Sequence, residues 1–312
     1  MALLSVVLPA YNEEKMISKV VEQLGNLFSE QHIAYELIFV DDGSQDNTWS
    51  EIEKAGADPR VIGLHFSRNF GKEAAITAGL TSSHGDCCVV MDCDLQHPPQ
   101  TVIKMYRLWE QGYEVVEGVK RTRGEESKAY GFCAKCFYKL ISAAVKIDMS
   151  KASDFKLLDR AVVDTLIAMP ERNAFFRALS SWVGYKTIQV EFDVQERKEG
   201  ASKWSALALI KYALTNIVAF SSAPMYLVTL AGVLTLAFSL IMGVQTLVNY
   251  FLGRAIEGFT TVILLVLLIG SIVMISLGII GYYLSKIYEE VKQRPRYIIS
   301  KKVNGQGPGR NG

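Results

Sequence analysis

Two carboxylates separated by a single residue follow an apolar run in the stretch VVMDCDLQHPP, residues 89–99. The apolar residues predict a buried strand that ends just before Asp92 and Asp94, and Gln96 and a Pro-Pro stop come next. Carboxylate and amide oxygens are hard ligands of the kind that Mg²⁺ and Mn²⁺ prefer. An acidic group of this type repels a diphosphate directly, but it can hold one through a divalent cation.

Polar clusters follow three other strand-like segments in the same way. The predicted strands LLSVVLP, YELIFV, VIGLHF and DCCVVM alternate with helical patterns, which predicts an α/β fold with a parallel sheet buried on both faces. They are followed by PAYNEE, DDGSQDNT, SRNFGKE and DCDLQHPP. Because such sheets bind ligands at the carboxyl ends of their strands, we expect these clusters to form one rim of a cleft. No Gly-rich dinucleotide fingerprint or P-loop is present.

Two long segments near the end of the chain contain no charged residue, residues 224–252 and 259–285. Each exceeds the roughly 20 apolar residues that a spanning helix needs, which predicts two transmembrane helices. The alternative is a pair of buried helices in a soluble core. Basic residues after the second segment predict that this end is cytoplasmic, and two crossings then leave the first 220 residues on the same side. These basic residues are Lys286, Lys292, Arg294, Arg296, Lys301 and Lys302.

The motifs VVLPAYNEE, VDDGSQDNT, RNFGKEAAITAGL and MDCDLQHPP together resemble those of family-two glycosyltransferases with the GT-A fold. The likeness is closest to polyprenyl-phosphate glycosyltransferases, such as the bacterial GtrB-type enzymes and dolichol-phosphate mannose synthases. It extends to SDFKLLDR at 153–160, RKEGASKW at 197–204 and the two apolar segments. The resemblance implies an α/β GT-A nucleotide-diphospho-sugar transferase domain with a C-terminal two-helix transmembrane domain.

The expected domain organisation has four parts. Residues 1–202 form the cytoplasmic catalytic domain, and residues 203–222 form an amphipathic helix at the membrane interface. Residues 223–285 hold the two transmembrane helices, and residues 286–312 form a basic cytoplasmic tail that is partly disordered. The nucleotide pocket is expected to be built wholly from residues 1–203.

The resemblance also assigns a donor site. It implies nucleotide binding by Pro9, Ala10, Tyr11, Glu13, Val40, Asp41, Asp42, Ser44, Lys72, Asp92 and Cys93. It implies that Asp92 faces the donor and that Asp92, Asp94 and Gln96 supply the metal ligands for Mg²⁺ or Mn²⁺, while the Cys93 side chain points away. Two alternatives remain open: DDGS is an Asx turn that starts a helix, and Lys72 pairs with Asp42 or a phosphate or is simply solvated.

The same resemblance places Asp154 near the reacting centre and, with Asp94, makes it the catalytic candidate. The alternative is that Asp154 caps a helix or strand, and its role as a base or as an orienting group is left open. Lys120, Arg121, Arg123, Arg197 and Lys203 are the candidates for contact with the acceptor and diphosphate. The cluster next to the membrane has the alternative of binding anionic lipid headgroups.

The resemblance implies an inverting hexosyltransferase that moves one sugar, of the glucose or N-acetylhexosamine type, from a UDP-sugar to undecaprenyl phosphate. The expected location is the cytoplasmic face of a bacterial inner membrane, the product would serve cell-surface glycan modification, and a homotetramer is implied. The formal net charge of +1 argues against a nucleic-acid partner. The alternatives are a mannose transferase that uses GDP-mannose and a membrane-tethered nucleotide-sugar-binding protein without turnover. A processive polysaccharide synthase is disfavoured because the sequence lacks a Q-x-x-R-W motif.

Overall fold

The computed structural model describes residues 2–121, 153–169, 176–193, 223–252 and 258–305. The strands are β1 Leu3–Ala10, β2 Ala34–Asp41, β3 Val61–Phe66, β4 Cys87–Val90, β5 Val115–Lys120, β6 Lys156–Asp159, β7 Thr187–Phe192 and β8 Ile299–Val303. The helices are α1 Ile17–Glu30, α2 Thr48–Ala55, α3 Lys72–Thr81, α4 Pro99–Glu110, α5 Arg160–Ala168, α6 Phe176–Trp182, α7 Ala223–Phe251 and α8 Phe259–Val291. The chain divides into two compact units, Met1–Ser205 with Arg294–Gly312, and Ala206–Gln293.

The first unit is built on an eight-stranded sheet in the order β7-β5-β6-β4-β1-β2-β3-β8. Strands β4, β1, β2 and β3 are neighbours and run parallel, as the alternation of strands and helices predicts. The polar clusters that follow these four strands therefore share one edge of the sheet. Almost every residue of β1, β2 and β4 is buried, because parallel strands are covered on both faces.

Beyond the four predicted strands, two strands run against the parallel direction. β6 runs antiparallel to both β4 and β5, and β8 runs antiparallel to β3. The sheet is therefore mixed. The direction of β6 has a consequence for the site, because it brings the start of β6, rather than its end, to the carboxyl end of β4.

The strand β8 lies within the segment that the sequence assigns to a basic tail. Residues 299–303 pair with β3 and belong to the same compact unit as the rest of the sheet. The sheet that carries the candidate site thus includes residues that follow the apolar helices in the chain, outside the expected catalytic domain of residues 1–202.

The second unit contains the long helices α7 and α8, with 29 and 33 residues. Both predicted apolar segments are helical, and α8 continues beyond residue 285 to Val291. Within the described residues, one segment, Leu268–Ser285, is long and apolar enough to cross a membrane, with a mean hydropathy of 1.9 and no burial inside the unit. In α7 a shorter apolar stretch, Leu230–Met242, is found. The interfacial helix predicted at 203–222 lies outside the described residues.

Candidate active site

The two carboxylates that follow β4 lie in a loop between that strand and α4. Asp92 keeps about a third of its side chain exposed, and Asp94 Oδ1 accepts a hydrogen bond from the Gln96 backbone N–H at 3.1 Å. Leu95, which lies between Asp94 and Gln96, has a φ of 55°. A non-glycine residue rarely adopts this left-handed conformation, and where it does so the residue is often in a functional loop. The buried strand thus delivers its carboxylates to a tight loop at the sheet edge.

Cys93 is buried in the hydrophobic core, as expected for a side chain that points away from the loop. Burial raises the pKa of its thiol well above the usual value, and the nearby carboxylates add to this effect. Any contact of Cys93 with a nucleotide is therefore limited to its backbone.

Lys72 is the first residue of α3 and connects two carboxylates. Its Nζ lies 2.6 Å from Asp92 Oδ1 and 3.0 Å from Asp154 Oδ2. Burial by itself would lower the pKa of Lys72, but the charges of the two carboxylates outweigh burial and raise this pKa. Of the alternatives left open by the sequence, pairing with Asp42 and simple solvation are therefore wrong for Lys72.

Asp154 lies two residues before β6 and is held by a second cation. Arg177 of α6 donates from Nε to Asp154 Oδ1 at 2.6 Å and from Nη2 to Oδ2 at 2.8 Å, a bidentate pair. Burial would raise the pKa of Asp154, but the hydrogen bonds from Arg177 and the charge of Lys72 outweigh it and hold the pKa well below the usual range. Asp154 is therefore an anion whose two oxygens are both engaged.

A second layer of polar groups supports Asp154 from within the unit. Lys156, fully buried, lies 3.0 Å from Glu117 Oε1 and donates to Ser180 Oγ at 2.8 Å. Glu73 Oε2 accepts from the Phe176 backbone N–H at 2.9 Å, and burial raises the pKa of Glu73 to about 7. These contacts tie α6, which carries Arg177, to β5, β6 and α3.

The loops after β1 and β2 are hydrogen-bonded to each other. The Asn12 N–H donates to Ser44 Oγ at 2.9 Å, the Gln45 N–H donates to Asn12 Oδ1 at 3.0 Å, and the Glu13 N–H donates to the Thr48 hydroxyl at 2.8 Å. Among the predicted donor residues of these strands, Ala10 and Val40 are buried, whereas Tyr11 is 45% exposed. Tyr11 therefore offers a free aromatic surface on this rim, and Pro9 lies partly buried beside it.

Asp41 and Asp42 both have structural partners. Asp41 Oδ1 accepts from the Ser44 N–H at 2.9 Å, three residues on rather than the two of an Asx turn, and the helix α2 begins only at Thr48. Asp42 accepts from the Phe70 N–H at 2.6 Å and the Gly71 N–H at 2.9 Å. Burial raises the pKa of Asp42 although these hydrogen bonds oppose it. Asp42 thereby holds the loop that leads into Lys72.

The predicted phosphate-binding cations are described only in part. Lys120 is exposed at the end of β5, and the exposed Arg121 lies 3.4 Å from Glu191 and 3.6 Å from Asp193. Arg123, Arg197 and Lys203 lie outside the described residues.

Sequence reasoning missed Arg177, His65 and His97. Arg177 and Asp154 are separated by 23 positions, and no local pattern joins them. His65 Nδ1 lies 2.7 Å from Asp41 Oδ2. His97 follows Gln96 in the acidic loop, and its ring is stacked on Phe155 at 4.5 Å. Its position in the acidic loop is the signal that would have singled it out.

The described residues contain no group of three or more His, Cys, Asp or Glu side chains placed as metal ligands. The predicted set of Asp92, Asp94 and Gln96 supplies two carboxylates and one amide. Mg²⁺ in phosphate-transfer sites is commonly held by one or two carboxylates, with the other positions taken by substrate phosphate and water. The chemistry of this oxygen set therefore fits a divalent cation that binds together with a diphosphate.

Comparison with known proteins identifies the family and the fold. The family described as Glycosyl transferase family 2 matches residues 5–166. The chain therefore belongs to glycosyltransferase family two and is an enzyme of the hexosyltransferase class, and its fold is GT-A-like. Solved structures show the same fold at low identity: mannosyl-3-phosphoglycerate synthase from Rubrobacter xylanophilus has a TM-score of 0.50 and 18% identity, covering 70% of this chain and 73% of that one.

Two curated relatives match along almost the whole chain. YkcC, a glycosyltransferase of Bacillus subtilis, is 39% identical over 95% of this chain and 93% of its own length. The bactoprenol glucosyl transferase of Shigella phage SfII is 34% identical over 97% of this chain and 99% of its own length. The similarity thus includes the two long helices as well as the sheet.

Proposed function

We propose that the protein transfers one sugar from a UDP-sugar to undecaprenyl phosphate at the cytoplasmic face of a bacterial membrane, with inversion at the anomeric carbon. The observation that carries this proposal is the continuous array Asp92–Lys72–Asp154–Arg177 at the carboxyl end of the sheet. The name of the phage relative, a bactoprenol glucosyl transferase, supports a polyprenyl phosphate as the acceptor.

In this proposal, the donor lies along the rim formed by the loops after β1, β2 and β4. Tyr11 and the turn at Asp41–Ser44 contact the nucleoside, and the acidic loop after β4 faces the diphosphate. Asp92, Asp94 and Gln96 would hold Mg²⁺ or Mn²⁺, which would supply charge stabilisation for the departing diphosphate. Lys72 adds a protein cation directly beside Asp92, at the position where that charge develops.

Asp154 acts as an orienting group in this mechanism rather than as a general base. A phosphate monoester has its second pKa near 6, so the acceptor is already a nucleophilic oxyanion at neutral pH. The pKa of Asp154 is held well below its usual range, and both of its oxygens accept from cations. Its charge instead keeps Lys72 and Arg177 in place, and these cations offset repulsion between the anionic acceptor and the anionic donor. By resemblance, the further candidates for contact with the acceptor and the diphosphate are Lys120, Arg121, Arg123, Arg197 and Lys203.

The proposed membrane attachment uses α7 and α8 as two spans, with residues 203–222 at the interface and the remaining domain boundaries as predicted. The strand β8 supports this topology, because it follows α8 and yet pairs with β3 of the catalytic sheet. The chain must therefore leave and re-enter the same side of the membrane, which requires an even number of crossings. A homotetramer remains part of the proposal by resemblance.

The experiment supplies purified full-length protein with undecaprenyl phosphate and a panel of radiolabelled nucleotide sugars, and measures label in the lipid phase. We expect transfer from one UDP-sugar in the presence of Mn²⁺ or Mg²⁺, and none with excess EDTA or with the Asp94→Asn variant. Transfer from GDP-mannose alone would favour the mannose-transferase alternative, and full activity in EDTA would contradict the metal assignment.

A further inference from the structure

His65, on β3, stands opposite Asp41 in the parallel β2–β3 pair, so the two side chains lie on the same face of the sheet. The His65 Nδ1 atom lies 2.7 Å from Asp41 Oδ2. A carboxylate only accepts hydrogen bonds, so Nδ1 is the donor. The Asp41 side chain is fully buried, and a buried carboxylate needs such donors to offset its loss of hydration. His65 therefore fixes one oxygen of Asp41, while the Ser44 N–H fixes the other.

The other edge of β3 is covered by β8, and this contact holds the backbone of His65. His65 pairs with Lys301 across the antiparallel β3–β8 ladder, and the Ser300 hydroxyl donates to the His65 carbonyl at 3.1 Å. The Ser67 N–H donates to the Ile298 carbonyl at 3.0 Å. The strand that carries His65 is thus a central strand only because the C-terminal segment is present.

Residues 296–304 are anchored firmly for a terminal segment. The Asn304 Nδ2 atom donates to carbonyls of Gly56 at 2.7 Å and Val61 at 3.0 Å. Tyr297 stacks on Phe66 with the ring centroids 5.2 Å apart. Val303 packs against the hydrophobic core, and a side chain at Gly56 would collide with it. Apolar packing, ring stacking and hydrogen bonds together fix this segment on the sheet.

We infer that His65 is a positioning residue for Asp41, and that the C-terminal segment 296–304 is a structural part of the donor site because it holds His65. The inference rests on the proposed function, in which the turn at Asp41–Ser44 contacts the nucleoside and the buried Asp41 carboxylate holds that turn through the Ser44 N–H. Loss of a donor to a buried carboxylate leaves that carboxylate free to turn, and the Asp41–Ser44 turn that it holds then loses its fixed geometry. Weakened anchoring of β8 also loosens Asp41, because it releases the outer edge of β3, the strand that carries His65.

The test measures the affinity of the full-length protein for UDP with Mn²⁺ by calorimetry. We expect His65→Phe to weaken UDP binding by about 10-fold or more, as estimated for an unsatisfied buried group. His65→Asn should recover most of the affinity, because the Asn amide places a donor close to the Nδ1 position. Asn304→Ala, remote from Asp41, should weaken UDP binding less but measurably, while KM for the polyprenyl acceptor stays unchanged in all three variants.

Matched controls separate positioning from general stability. The first control is His84→Phe. It removes a similar pair, between His84 Nδ1 and Glu36 Oε2 at 3.2 Å, and Glu36 lies near the other end of β2 from Asp41. Ser29→Ala removes an exposed hydroxyl-to-carbonyl hydrogen bond on α1. Circular dichroism and Tm of every variant report whether it folds.

The outcomes are distinct. Equal loss of UDP affinity in His65→Phe and His84→Phe, or unchanged affinity in both His65→Phe and Asn304→Ala, would overturn the inference while the proposed function stands. If the wild-type protein itself binds no UDP, the proposed donor is wrong and the inference fails with it.

Discussion

Asp154 is held from two sides by cations, and this geometry favours the orienting role that we propose over that of a general base. A general base must give up a hydrogen-bonding partner to take a proton, and its pKa must lie near the working pH. The Asp154 carboxylate accepts two hydrogen bonds from Arg177 and lies 3.0 Å from Lys72, with its pKa held well below the usual range. These contacts keep the Asp154 carboxylate ionised and fixed in position.

Replacement of Asp154 by Asn should therefore misplace Lys72 and Arg177. We expect turnover to fall by about 10²-fold, the loss that a misplacement of about 1 Å can cause, while UDP affinity changes little. Single-turnover rates and UDP binding measured on the same preparation check this. The matched control is Asp164→Asn, an exposed carboxylate 3.7 Å from Arg160 on α5, which should leave both quantities unchanged. A collapse of UDP binding in Asp154→Asn would instead assign Asp154 to the donor site.

The positions of Asp92 and Asp94 at the carboxyl edge of the sheet could be predicted, because they follow a strand-like segment. Asp154 was placed near them by the family resemblance, since it precedes β6 and its location depends on the antiparallel direction of that strand. The cations that pair with these carboxylates could not be predicted. Lys72 was recognised as a residue on the same rim, but the choice between Asp42 and Asp92 depends on the path of the loop that Asp42 itself holds. Arg177 reaches Asp154 only because α6 packs beside β6, a tertiary contact without a local sequence signal.

At the level of elements, α3 and α6 are joined by Glu73. This carboxyl accepts from the Phe176 N–H at the start of α6, and burial raises its pKa to about 7. The folded state thus binds the Glu73 proton more tightly than the unfolded chain does. Stability from this site is present at low pH and is lost as the pH rises from the ordinary pKa of a glutamate through about 7.

The variant Glu73→Gln keeps the acceptor for Phe176 but cannot ionise. We expect its free energy of unfolding to exceed that of the wild type by a margin that grows between pH 5 and pH 8, on the order of 2 kcal/mol, since one pKa unit corresponds to about 1.4 kcal/mol. Thermal unfolding of both proteins across this range measures the margin. Glu22→Gln, at an exposed position on α1, is the control. A margin that shrinks as the pH rises would contradict the assignment.

The elements of the first 112 residues follow closely from hydrophobic periodicity: β3, for example, covers the same residues, 61–66, as the predicted strand. Local patterns carry no information about the partner or direction of a strand, and this is why the antiparallel β6 was missed. β8 was missed for another reason. Its sequence ISKKV has the lysines and low burial of an edge strand, and these features also describe a solvated basic tail.

At the scale of the whole molecule, the two long helices are an insertion within the catalytic unit rather than an appendage to it. Residues up to Ser205 and from Arg294 onward belong to one unit, and α7 and α8 lie between them in the chain. A chain shortened to residue 222 would keep the acidic loop, Lys72, Asp154 and Arg177 but lose β8. It would expose the edge of β3, the strand that carries His65.

The position of α7 and α8 within the chain constrains how many times it can cross the membrane. Because β8 must return to the sheet, the segment Ala206–Gln293 either crosses the bilayer an even number of times or does not cross it. One segment of α8 has the length and hydropathy of a span, so the even number requires α7 to cross as well. With the sheet on the cytoplasmic side, as proposed, Gly258 before α8 is on the outer face and Lys301 of β8 is on the inner face. In spheroplasts, Gly258→Cys should react with a membrane-impermeant maleimide, whereas Lys301→Cys should react only after permeabilisation. Wild-type protein, with its own cysteines, gives the background.

Two results would contradict this topology. Labelling of both positions only after permeabilisation would place α7 and α8 on the inner surface without a crossing. Labelling of Lys301→Cys from outside would show that β8, and the sheet with which it pairs, does not lie on the inner face.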